Sequence, residues 1–172
     1  MKGWAKTLIA SAAVAAVIVG VNVVRVNSAA SEALKHTGEI RAYSYYRYGV
    51  VPDVVVFDLR EVKGNASNAM VLGRFFAFAE EMKDREFREV HLAFRGETKF
   101  IMRGGDFRKI GREFSWQNPV YLVRTLPAKL RSPDGRAAYS TWSGGMLGVL
   151  SAQMNDVNDI AREWYLDDML KI

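Results

Sequence analysis

Residues 53–59 read DVVVFDL, residues 69–83 read AMVLGRFFAFAEEMK and residues 90–94 read VHLAF. The first is a short, continuous apolar run rich in β-branched residues, the pattern of a strand covered on both faces. In the second, Leu72, Phe75, Phe76, Ala79 and Met82 recur at helical spacing and mark a single apolar face. In the third, Val90, Leu92 and Phe94 alternate as in a strand. Between the first two, residues 63–68 (KGNASN) form a turn, with Asn65, Ser67 or Asn68 as the helix N-cap. Strand, helix and strand in this order predict a right-handed βαβ unit.

The neighbouring segments extend this unit on both sides. Upstream, residues 40–51 hold Tyr43, Tyr45, Tyr46 and Tyr48, an aromatic density suited to a strand, which Pro52 interrupts. Downstream, Gly96 turns the chain and residues 99–103 return as a hairpin partner. Gly104-Gly105-Asp106 leads into a short helix with Asp106 as its N-cap, and Asn118-Pro119 ends it. Residues 120–123 read as another strand, and 126–141 as a long loop punctuated by Pro127, Pro133 and Asp134-Gly135. Leu147, Leu150, Met154, Val157, Ala161 and Trp164 then mark an amphipathic helix over 146–166. The order β-β-α-β-β-α-β-α predicts an α/β or α+β fold, a mixed sheet of about five strands packed with about three helices.

A hydrophobic leader helix is expected to precede this domain. Lys2 and Lys6 stand before an uncharged run of eighteen residues, 7–24, which Arg25 closes. Positive charge ahead of the run keeps the N-terminus in the cytoplasm and places the chain beyond the run outside it, on the periplasmic side in a bacterium. At 1.5 Å per residue the run spans ~27 Å, enough for the hydrocarbon core of a bilayer as an uncleaved anchor. Ser28-Ala29-Ala30 offers a small-residue cut site, the alternative in which residues 1–30 are a signal peptide and a soluble domain is secreted. Residues 31–39 read as a polar spacer and 40–172 as a single extracytoplasmic domain.

Composition narrows the chemistry. There is no cysteine, which excludes disulfides, thiolate metal sites, a thiol nucleophile and a lipid-modified cysteine anchor. The formal charge is +5, but Lys2, Lys6 and Arg25 supply three of those charges. From Ser31 onward 21 basic residues face 19 acidic ones, too little basic excess for nucleic-acid binding. The charge is uneven: residues 95–136 carry ten basic and four acidic groups, residues 153–172 two and five. These two segments are expected to face each other or the solvent.

Candidate sites are few. If the strands ending in Asp58, Arg95 and Arg124 run parallel, these three groups gather on one rim, where two arginines beside a carboxylate suit an anionic ligand. Residues 140–145 (STWSGG) could offer backbone N–H groups to an anion, or simply cap the last helix. The tyrosine strand could stack on sugars, or form ordinary cross-strand pairs. His36 and His91 have no neighbouring nucleophile or metal-ligand spacing. Asp156, Asp159 and Glu163 share a helix side without a loop to converge them on a cation. Asn65-Ala66-Ser67 matches the N-glycosylation sequon. No catalytic residue, cofactor or metal site is expected. The expected function is a membrane-tethered accessory or interaction domain with a protein partner and no catalytic activity. The alternative is an enzyme or binding protein for an anionic envelope ligand held by Asp58, Arg95 and Arg124.

Overall fold

The computed structural model describes residues 20, 21, 24, 26–28, 30–35, 38–140 and 146–171. Of the apolar stretch 7–24, only Gly20, Val21 and Val24 fall among them, so the leader reading lies outside the described residues. Among the described residues no helix is long and apolar enough to cross a membrane.

The domain is α+β, a mixed five-stranded sheet with about five helices rather than the three expected. A helical segment that includes Val26, Asn27 and Ser28 ends in α1 (Ser31–Leu34). β1 (Ile40–Arg47) and β2 (Val51–Val62) form an antiparallel hairpin. Its turn uses Tyr48 and Gly49, both at positive φ (54° and 73°). Pro52 therefore lies inside β2 rather than ending a strand. It falls at a register shift where Arg47 pairs with Val51 but Tyr46 with Val55, so its missing N–H removes no ladder bond.

α2 (Asn68–Glu81) comes next, capped by the Ser67 hydroxyl, which accepts from the Met70 N–H at 3.2 Å. It carries the chain to β3 (Glu89–Phe94), which lies parallel to β2. All five residues of the expected apolar helix face are buried. β4 (Glu97–Arg103) returns antiparallel through a turn at Arg95 and Gly96, again both at positive φ. α3 (Gly104–Glu113) begins at once. Asp106, expected as its cap, sits in the first turn instead, and the Arg103 side chain makes no cap bond.

Residues 120–123 are not a strand. They belong to α4 (Pro119–Thr125), because Asn118 accepts from the Val120 N–H at 2.9 Å and Pro119 takes the first helical position. The fifth strand is β5 (Leu130–Arg131), inside the stretch expected to be loop, and it pairs with Ile101 and Met102 of β4. After α5 (Met146–Ala161) the helix widens into a π-turn, Arg162–Leu166, and ends in α6 (Asp167–Met169). The π-turn coincides with two consecutive buried residues, Trp164 and Tyr165. Met154, expected on the apolar face of α5, is exposed.

The core lies between one sheet face and the helices. Phe57 of β2 meets Phe75 and Phe78 of α2 at ring separations of 5.5 and 5.2 Å, and Trp164 at 6.0 Å. Phe107 of α3 closes the cluster against Phe78 at 5.4 Å. Val54, Val56 and Ala93 are also buried but belong to the opposite sheet face, outside this helix-packed cluster.

Candidate functional site

Two polar groups are buried on that second face. Strand alternation places Asp58 of β2 and His91 of β3 there, and both are shielded from solvent. The Asp58 carboxylate accepts from the Tyr45 hydroxyl at 2.9 Å and the Gly96 N–H at 3.0 Å, and pairs with the Arg60 guanidinium at 2.7 Å. It thereby joins β1 to the β3–β4 turn across β2. Burial, and then the Asp58 charge, push the Tyr45 hydroxyl up to about 12. His91 Nδ1 lies 3.2 Å from the Thr98 hydroxyl and Nε2 lies 3.4 Å from Glu89.

Burial lowers the His91 pKa. Arg47 and Arg88 lower it further, while Glu89 opposes the shift. A base whose folded pKa is depressed stabilises the fold fully above its unfolded value, ~6.5, and that stability is lost as pH falls toward the folded value. Urea midpoints should therefore drop between about pH 7 and pH 5, and His91→Gln should shrink that drop. Equal slopes for the two proteins would remove His91 as the cause.

The structure brings Asp58 and Arg95 to neighbouring positions but not Arg124. Asp58 lies within β2, where it pairs with Tyr43 of β1 and Ala93 of β3. Arg95 sits in the β3–β4 turn, where its N–H donates to the Leu59 carbonyl and its guanidinium stacks on Phe94 at 5.0 Å. Arg124 lies on α4, not at a strand end, and its Nε donates to Gln153 of α5 at 3.1 Å. Of residues 140–145, only Ser140 is described. The tyrosines divide between the two faces and the hairpin tip, with Tyr46 packed against the core and Tyr48 exposed.

The basic and acidic segments do meet. Lys99 of β4 reaches Asp168 at 2.7 Å and Glu97 at 2.9 Å. Burial alone would lower the Lys99 pKa, but these bonds hold it above its usual value. Beside this pair lies a cavity of about 450 Å³, lined by Glu97, Lys99, Phe100, Ser132, Arg136 and Glu163 among others. Burial, and then Asp159, raise Glu163 above the usual carboxylate range. Sequence reasoning missed this cavity, since it forms only where β5 and the π-turn flank β4. Among the described residues no group of three or more His, Asp or Glu side chains could hold a metal ion.

The second feature missed by sequence is the segment ahead of β1. Val26, Ala30 and Ala33 are buried in the main core cluster. Asn27 Oδ1 accepts from the Ser44 N–H at 2.9 Å and from its hydroxyl at 3.3 Å, covering part of the outer edge of β1. Arg74 of α2 donates to the Ala33 carbonyl at 3.2 Å. Residues on both sides of the expected cut site, Val26 and Ala33, are therefore packed into the core. The chain matches no family model, and no curated protein or solved structure is detectably similar to it.

Proposed function

We propose that this chain is a membrane-tethered accessory domain that is held outside the cytoplasm by residues 7–24 and acts by binding a partner protein rather than by catalysis. The observation that supports this best is the burial of Val26, Ala30 and Ala33 in the domain core. The apolar run leads, one residue after Arg25, into a helix that the domain cannot lose without opening its own interior. A cut after Ala30 would remove Val26, Ala30 and the Asn27 bonds to Ser44. Burial of one valine side chain alone is worth ~1.5–2 kcal/mol. The junction thus favours an uncleaved anchor and a domain held at a fixed distance from the bilayer. The buried groups best suited to chemistry, Asp58 and His91, have their bonds within the sheet and its β3–β4 turn.

Expression in a secretion-competent host should yield full-length mass in the membrane fraction, with the domain accessible to added protease from the outer side. In-cell crosslinking should then capture a protein partner. A soluble product lacking the first ~30 residues, the length expected of a signal peptide, would overturn the tether. Catalytic turnover by the purified chain without any partner would overturn the accessory role.

A further inference from the structure

We propose that the tip of the β1–β2 hairpin is a second membrane contact, with Tyr48 and Val50 entering the interfacial layer of the bilayer and the Arg47 guanidinium reaching back to the lipid phosphates. This rests on the reading that residues 7–24 cross that bilayer.

The geometry begins at Asn27, which is bonded to Ser44 midway along β1. From Asn27 the chain continues helically, with Ala30 N–H on the Val26 carbonyl at 3.1 Å and Leu34 N–H on the Ala30 carbonyl at 3.0 Å. It then enters β1 at Ile40. The helix therefore runs antiparallel to β1, and residues before Asn27 head toward the hairpin tip. The described residues upstream of Asn27, namely Gly20, Val21, Val24 and Val26, are helical too. Arg47 lies ~10 Å beyond Ser44 at about 3.4 Å per strand residue. The end of the apolar run and the hairpin tip thus share one end of the domain.

That end is also where apolar side chains stand in the open. Val21 is 45% exposed and Val24 66%, while Tyr48 is 74% exposed and Val50 51%. Tyr48 has φ 54°, a conformation that hairpin turns ordinarily give to Asn, Asp or Gly. The chain accepts that backbone strain while presenting an aromatic ring outward. The Arg47 guanidinium lies over the ring, 5.0 Å from its centroid. Tyrosine is enriched at the level of the headgroups, where its ring meets the apolar boundary and its hydroxyl meets water. An arginine beside it suits anionic headgroups. The run that ends at Val24 puts the hydrocarbon boundary toward this end of the domain.

The natural chain has no cysteine, so a single introduced one is unique. Val50→Cys in the full-length chain, carrying an environment-sensitive fluorophore, would be reconstituted into phosphatidylcholine vesicles with phosphatidylglycerol as the minor component. Asn65→Cys, in the exposed turn at the opposite end of β2, is the reference. The label at 50 should be blue-shifted and quenched several-fold more strongly than that at 65 by lipids carrying a headgroup-level quencher. Tyr48→Ser should reduce that quenching. If the chain floats with the vesicles but the label at 50 is as wet as that at 65, the tip contact is wrong while the tether stands. If the chain does not float at all, the tether fails and the tip contact falls with it.

Discussion

Trp164→Ala is expected to lower the unfolding free energy by about 3–5 kcal/mol. The indole is fully buried in the π-turn and meets Phe57 at 6.0 Å and Phe75 at 6.1 Å, the latter edge-on at 88°. Removing it leaves a cavity that two aromatic neighbours on different elements, β2 and α2, cannot fill together. The indole also has a polar role. The β3–β4 ladder slips register between Leu92 and Ala93, and the Trp164 Nε1–H donates to the Ala93 carbonyl at 3.0 Å. Loss of that donor leaves a buried acceptor unpaired, a cost of ~1–3 kcal/mol.

Trp164→Phe separates the two contributions, since it keeps most of the ring and loses the N–H. It should cost about 1–3 kcal/mol, clearly less than the alanine variant. Urea unfolding of the full chain in detergent would measure both. A domain of this size has ~5–15 kcal/mol in total, so Trp164→Ala should be marginal. If Trp164→Phe matched the parent protein, the hydrogen bond to Ala93 would carry no net stability.

The sequence made visible those parts whose burial obeys one local period. The apolar run at 53–59, the helix face of α2 and the alternation in β3 each report a burial pattern that needs no knowledge of partners. The failures arise where local signals conflict or are too short. Residues 120–123 (VYLV) favour a strand by propensity, yet Asn118 and Pro119 are also the signature of a helix start, and that signal prevailed. β5 has two residues and therefore no period. It exists because β4 presents an edge at Ile101 and Met102.

The site readings depended even more on topology. The rim of Asp58, Arg95 and Arg124 required a third parallel strand where the chain forms α4. The link from Asp58 to Arg60 was within reach, because residues two apart on a strand share a face. So was the helical segment ahead of β1, since Val26, Ala30 and Ala33 keep helical spacing across the expected leader end and the expected spacer. A boundary drawn at Ala30 divided that pattern between two segments. The cavity beside Lys99 had no local signal, because its walls come from β4, the β5 turn and the π-turn.

Gly111→Ala should destabilise the protein by about 2–4 kcal/mol, although alanine is the better helix former by ~1 kcal/mol. α3 crosses α2 so closely that a Cβ at residue 111 would stand 2.1 Å from the Ala79 carbonyl oxygen and 2.6 Å from its carbon. Both are backbone atoms in a packed helix, so relief requires the helices to separate. That separation would pull Phe107 away from Phe75 and Phe78, and Phe114 away from Phe76. Gly73→Ala is the matched reference. It lies within α2, and a Cβ there has no neighbour within 4 Å. Here only helix propensity acts, and the variant should be more stable by up to about 1 kcal/mol. The same substitution in two adjacent helices is thus expected to change stability in opposite directions, as urea midpoints would show. Stabilisation by both would mean that α3 does not approach α2 this closely. Destabilisation by both would place an unseen neighbour against Gly73.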